Sequence, residues 1–369
     1  MLLHKNEQNL YIFIRDWLVN YNYTTSTYTE FQIHPPIDVS EKLSEDRSIA
    51  AVSVSKDNQL IAVALCNKQL VMYDRQFNIL LNTICKRAVS ALTFTHENNL
   101  LIADKTGDVF VYEFDKHKKE PDLLLGHLSM LLDIAISDCG KYVITCDRDE
   151  KIRVSSYPNA YNIVSFCLGH EEFVTNLKVY GNILISGSGD GTIRFWDFVN
   201  GKQLNVVNTN DYLTDKGIIP MFCDEMIVEN VDVNALPIID MQIYQSKDFA
   251  YLGVSVLGSN SVQIYRVTVS NVLNVQFLDV ITVPSLLAFH LSEQLLIVSE
   301  DSFHIYNIVN NKPVKVNAND TIVWFDNFKH FLKDYVSQCK SLFSSLYKRK
   351  YDNVQEYLEK KKIRIENKS

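Results

Sequence analysis

The chain has 369 residues, 47% of them hydrophobic, enough for a large buried core, and only 8 prolines and 12 glycines, too few for a long disordered region. Its formal net charge of −8 argues against a surface that wraps nucleic acid unaided, because neutralising phosphates needs a basic balance. Its seven scattered cysteines (Cys66, Cys85, Cys139, Cys146, Cys167, Cys223, Cys339) hold no C-x-x-C pair, which points to free thiols in a reducing compartment rather than to a zinc site or a disulfide framework.

The first residues, MLLHKNEQNLYIFIRDW, lack a basic stretch ahead of a clean apolar run and a small-residue cleavage site, so no secretory leader is expected. No uncharged apolar run of about 18 residues occurs either, and a soluble, intracellular protein without a membrane partner is expected. Abundant Tyr, Phe, Val and Ile favour strands, since such side chains fit a pleated surface. Candidate strands open the chain at Leu10–Ile14 and Tyr28–Ile33.

A repeat follows. Its clearest copy is GHEEFVTNLKVYGNILISGSGDGTIRFWDF, Gly169 to Phe198. Gly169-His170 begins it, the tight turn Gly189-Asp190-Gly191 divides its strands, and Trp196-Asp197 ends it. This is the pattern of a WD-repeat propeller blade. Aligning the turns puts Tyr73, Tyr112, Ser155 and Trp196 at one blade position, at intervals of 39, 43 and 41 residues; Tyr265 and Tyr306 follow, 41 apart. Blade-like repeats therefore lie near 47–84, 85–125, 126–168, 169–206, 235–280 and 281–316. The long step from Trp196 to Tyr265 marks an acidic loop insertion at 207–234. A ring must close or leave an exposed edge. A composite seventh blade is expected, residues 1–40 pairing with 317–325, in particular with Thr321–Phe325. The fold class is thus all-β: a seven-bladed WD-repeat propeller over 1–325. A loop and a short basic C-terminal helix are expected over 326–369.

His127 and His170 invite a catalytic reading. In a propeller blade such a histidine instead bonds the Asp of the second-to-third-strand turn, here Asp149 and Asp190, with Ser186 and Trp196 completing the network of the 169–206 repeat. Gly187-Ser188-Gly189-Asp190-Gly191 is no phosphate cradle, because a strand follows it rather than a helix. No catalytic constellation and no metal site is recognisable. The run Asp147-Arg148-Asp149-Glu150-Lys151-Ile152-Arg153 carries more charge than a blade needs. Lys151 and Arg153 alternate with Ile152, so both point away from the side that Ile152 buries. Lys105 occupies the equivalent turn of the preceding blade. Either a solvated face or a protein-binding rim is expected there. The last 22 residues hold eight Lys or Arg against four Asp or Glu. Lys348, Arg349, Lys350, Lys360, Lys361 and Lys362 are candidate RNA contacts.

The segments LLLGHLSMLLDIAIS (123–137), TCDRDEKIRVSSYP (145–158), SFCLGHEEFVTNL (165–177), ADKTGDVFVYEF (103–114) and the tail SSLYKRKYDNVQEYLEKKK (344–362) resemble the WD-repeat, non-catalytic subunit of the tRNA (guanine-N7-)-methyltransferase heterodimer, animal members above all. The resemblance is dense over 85–205 and 341–362. Over 1–45 and 207–320 mainly the blade rhythm carries it. It implies a scaffold without a cofactor of its own. A separate catalytic subunit would bind S-adenosylmethionine and form 7-methylguanosine at position 46 of tRNA. The propeller would hold that subunit on its side and help place the tRNA. By matching positions, Lys105 and Arg153 are the implied partner contacts, with Arg148 and Lys151 as neighbours. The resemblance also implies residence in the nucleus, the cytoplasm remaining open. Two other readings compete. A generic WD-repeat scaffold, such as a ubiquitin-ligase adaptor or an assembly factor, leaves DRDEKIRVS and the matching tail unexplained. An enzyme acting at the central channel needs converging acids, bases or metal ligands, which are not recognisable.

Overall fold

The computed structural model describes residues 1–36, 44–113, 120–270, 272–316, 328, 332 and 341–349. Among them, seven four-stranded antiparallel sheets follow one another along the chain, each with its strands in sequence order. The first blade holds β1–β4 (Leu2–Lys5, Asn9–Ile14, Trp17–Asn22, Thr27–Gln32) and the second β5–β8 (Ile49–Val54, Leu60–Leu65, Gln69–Asp74, Ile79–Ile84). The third holds β9–β12 (Val89–Phe94, Leu100–Asp104, Asp108–Tyr112, Asp122–Gly126) and the fourth β13–β16 (Leu131–Ile136, Tyr142–Asp147, Ile152–Ser156, Ile163–Cys167). The fifth is β17–β20 (Val174–Tyr180, Ile183–Ser188, Thr192–Asp197, Lys202–Asn208). The sixth is β21–β24 (Ile238–Gln245, Ala250–Val256, Ser261–Val269, Leu273–Thr282), and the seventh β25–β28 (Leu286–Leu291, Gln294–Ser299, Phe303–Val309, Lys312–Val316).

The first strands of successive blades lie beside one another around the centre. Each second strand is flanked by a blade on both faces and is mostly apolar, and β2, β10, β18 and β22 are buried along their whole length. Outer strands such as β4 and β20 are largely exposed. A separate apolar cluster fills every gap between neighbours. Ile144, Val154 and Cys167 meet Leu177, Leu184 and Trp196 between the fourth and fifth blades. Ile12 and Ile14 meet Leu296 and Ile305 where the seventh blade meets the first.

Among the described residues the first blade takes all four of its strands from residues 2–32, and its β1 packs against β25 of the seventh blade. The Lys5 N–H donates to His290 Nε2 at 3.2 Å, and Lys5 Nζ to Gln294 Oε1 at 2.9 Å. The sequence hid β1 and β3 because the first blade lacks the Gly-His and Trp-Asp marks. Thr321–Phe325 lies outside the described residues.

The 207–234 insertion is not only loop. A 3-10 turn (Thr209–Tyr212), capped by Asn208, leads to helix α1 (Ile218–Val228). Of the expected basic C-terminal helix, the described residues show a single helical turn, α2 (Ser341–Ser344). Among the described residues no helix is long and apolar enough to cross a membrane.

Candidate partner-binding surface

Antiparallel alternation puts every second-to-third-strand turn at one end of the ring, together with the connection that leaves each outer strand. The turns of the third, fourth and fifth blades, and the insertion after β20, therefore share a rim. These turns need a left-handed residue, supplied by Gly107 (φ 105°), Glu150 (φ 63°) and Gly191 (φ 74°).

In the fifth blade the expected network is present. His170 pairs through Nδ1 with Asp190 at 2.9 Å and through Nε2 with Ser186 Oγ at 2.7 Å. Trp196 Nε1 donates to the same hydroxyl at 2.8 Å. Burial lowers the His170 pKa and favours the neutral ring. Burial alone would raise Asp190, but His170, Thr192 and the Glu171 N–H hold its carboxyl at about 2. Every polar group of this network is used in tying β18 to β19 and to the entry of the blade, which leaves it no chemistry toward a substrate.

The fourth blade corrects one assignment. His127 bonds Asp147, not Asp149: Nδ1 to Asp147 Oδ2 is 3.0 Å, and Nε2 to Thr145 Oγ1 is 2.8 Å. Asp147 ends β14 where the fifth blade has Ser188, so its carboxylate also accepts the N–H groups of Asp149 at 2.9 Å and Lys151 at 3.0 Å. With the turn already closed by Asp147, the Asp149 side chain is left toward solvent, 3.5 Å from Lys348 Nζ.

The four residues expected to meet a partner divide into two pairs. Lys105 and Lys151 are exposed on the rim, Lys151 reaching back to the Asp149 carbonyl at 3.0 Å. Arg148 and Arg153 are committed within the chain instead. Arg148 donates to the carbonyls of Leu346 and Tyr347 at 2.8 and 3.1 Å. Arg153, half-buried, donates to Ser155 Oγ, Gly126 O and Ala160 O at 2.9, 2.9 and 3.0 Å. It thereby ties the third blade to the fourth, an inward role that its alternation with Ile152 did not reveal.

The tail residues are also paired. Lys348 bonds Glu150, and Arg349 bonds Glu229 of the insertion at 2.9 Å. Lys350, Lys360, Lys361 and Lys362 lie outside the described residues. What holds the tail root on the rim is Tyr347. Its ring is buried edge-on against Phe173, with centroids 4.8 Å apart, beside Met226 and Phe222 of α1. Its hydroxyl donates to Gly189 O at 3.0 Å. The sequence signal for this small second core was Phe343 and Tyr347 at helical spacing, next to an insertion with its own apolar residues. Between tail and insertion lies a cavity of about 210 Å3 lined by Glu171, Glu172, Asp190 and Asp232. Burial there, with Glu150 adding to it, raises Glu172 to about 7. Among the described residues no group of His, Cys, Asp or Glu could hold a metal.

Comparison with known proteins adds the family. Residues 112–322 match the model of the tRNA methyltransferase TRM82 WD40 domain. The non-catalytic subunit wdr4 of tRNA (guanine-N(7)-)-methyltransferase from Danio rerio is 32% identical over 349 residues, covering 89% of this chain and 79% of that protein. The corresponding subunit wuho from Culex quinquefasciatus is 29% identical with the same coverage, and wdr4 from Xenopus laevis is 43% identical over 166 residues, 43% of this chain and 42% of that one. Among solved structures, a chain of the mitotic checkpoint complex superposes with a TM-score of 0.61 at 16% identity, covering 81% of this chain and 84% of that chain, which speaks for the propeller fold alone. The chain belongs to the family of WD-repeat, non-catalytic subunits of tRNA (guanine-N7-)-methyltransferase.

Proposed function

We propose that this protein is the non-catalytic scaffold of a heterodimeric tRNA (guanine-N7)-methyltransferase. The observation that carries the reading is its 32% identity, along 89% of the chain, to a subunit of that name. The partner subunit binds S-adenosylmethionine and forms 7-methylguanosine at position 46. The propeller binds and stabilises that subunit and helps position the tRNA. The net charge of −8 supports a division of labour in which most phosphate contacts belong to the partner. The complex works in the nucleus, which microscopy of the tagged chain would test; cytoplasmic signal alone would count against it.

Lys105 and Lys151 supply exposed charge on the rim, while Arg148 and Arg153 hold the rim's shape. Charges of the first kind steer association and fix orientation. Groups of the second kind act through the residues that they position.

The test is co-expression with the catalytic subunit, followed by a tRNA guanine-N7 methylation assay on each chain alone and on both together. Activity that requires both chains is expected. Full turnover by the catalytic subunit alone, or any by this chain alone, would overturn the reading.

A further inference from the structure

Two of the candidate RNA contacts, Lys348 and Arg349, sit on the tail root, and both are already taken by carboxylates of the chain itself. Lys348 Nζ bonds Glu150, with Asp149 at 3.5 Å, and Arg349 Nη2 meets Glu229 Oε2 at 2.9 Å. The acids come from two separate elements. Asp149 and Glu150 form the β14–β15 turn, and Glu229 is the C-terminal cap of α1. One tail residue is thus held by the fourth blade and the next by the insertion.

The backbone beneath these pairs is fixed. Tyr347 is 1% exposed and its hydroxyl donates to Gly189 O, while Arg148 donates to the carbonyls of Leu346 and Tyr347. The two cations stand differently: the side chains of Lys348 and Arg349 are each 51% exposed. They can swing from one anion to another while the residues that carry them stay docked. A carboxylate and a phosphate are alike to such groups. An ammonium is a point charge, and a guanidinium accepts either anion through its fork of donors.

The surroundings are acidic. Glu171, Glu172, Asp190 and Asp232 line the cavity beside Tyr347. A polyanion that reaches this part of the rim therefore meets a field of its own sign. It gains Lys348 and Arg349 only by displacing the carboxylates that hold them.

We propose that Glu150 and Glu229 are internal stand-ins for phosphate: they hold Lys348 and Arg349 while the complex is free of RNA, and tRNA takes the two cations over by displacing them. This inference rests on the scaffold reading above and adds to it a regulation of the RNA contact. The exchange works as a filter. An RNA placed by the catalytic subunit brings phosphates to the tail root and wins the competition. One that collides at random meets neutralised cations in an acidic field, and this repulsive element supplies specificity.

The test uses the complex with the catalytic subunit and a tRNA transcript, with binding followed by fluorescence anisotropy at about 0.1 M salt, where charges more than about 10 Å apart are largely screened. Exposed ion pairs are worth roughly a factor of 1.4–5 each, so the double variant Glu150→Gln, Glu229→Gln should bind tRNA about 2–25-fold more tightly. The control, Glu30→Gln with Glu97→Gln, removes the same charge from exposed sites in β4 and in the β9–β10 turn at the other end of the ring, and should bind like wild type. In a chain carrying Lys348→Ala and Arg349→Ala, the gain from the Glu150 and Glu229 substitutions should vanish. Limited proteolysis within 341–349 should match wild type throughout, because Tyr347 still anchors the root. No tightening in the double variant, equal tightening in the control, a gain that survives loss of the two cations, or faster cleavage of the root would each overturn the inference. Should the wild-type complex fail to form or to bind tRNA, the scaffold reading falls, and this inference with it.

Discussion

Replacing Arg153 by Leu removes three internal hydrogen bonds together with the charge. Gly126 is exposed, so its carbonyl exchanges the guanidinium for water at little cost. Ser155 and Ala160 are buried and lose their partner outright. An unsatisfied buried polar group costs about 1–3 kcal/mol. Some water reaches the half-buried guanidinium site, so values near the low end apply, and the sum is about 2–3 kcal/mol. Unfolding entropy of about 2.1 cal/mol/K per residue over roughly 310 described residues makes each kcal/mol worth about 1.5 °C. Arg153→Leu should therefore fold but melt about 3–5 °C lower by calorimetry. Its partner affinity should fall because the rim between the third and fourth blades loosens. Arg153→Lys, which can reach one acceptor, should recover part of both losses. If Arg153→Leu melts within 1 °C of wild type while binding collapses, the side chain meets the partner directly and the internal-clamp argument is wrong.

Other outcomes follow from the same geometry. Asp147→Ala should cost about 2–4 kcal/mol, since it strips His127 of its anchor and frees two turn amides, whereas Asp149→Ala should stay within about 0.5 kcal/mol; urea midpoints for the pair check which aspartate closes the turn. Glu172 has its carboxyl raised to about 7, so the folded state favours the protonated form, and the stability that this confers is lost as pH rises from the unfolded value near 4.5 through 7. Glu172→Gln should accordingly gain stability over wild type as pH goes from 5 to 8, by about 1 kcal/mol after allowance for solvent screening; melting curves that run parallel across this range would refute it. Tyr347→Ala empties the small core under the tail root and should weaken its docking by about 3 kcal/mol. Limited proteolysis should then cut within 341–349 while the ring's melting temperature holds.

The ring was legible from its rhythm, because each blade repeats one supersecondary unit and most third strands carry a large Tyr or Trp near their end, buried in Tyr73, Tyr112, Trp196 and Tyr265. His170, Asp190, Ser186 and Trp196 were legible together because one hydroxyl, one ring and one carboxylate satisfy each other at fixed spacing. Three features were not. Asp147 and Asp149 both stand near the turn, and only backbone geometry decides which carboxylate faces His127. Arg148 and Arg153 look like surface charge in a strand pattern, yet a long side chain can turn back to a carbonyl far away in sequence. The first blade lost its signature residues while keeping its alternation, so two of its strands went unmarked.

The closing of the ring has a mechanical consequence. Where first and last strands share one sheet, pulling on the ends of the chain loads a whole ladder of hydrogen bonds in shear. Here, among the described residues, the first blade has four strands of its own, and apolar side chains and Lys5 with its two partners on the seventh blade hold the seam. Peeling residues 2–5 away from β2 would therefore break the β1–β2 ladder and the packing of the seam together, while each of the other six blades would keep its own sheet.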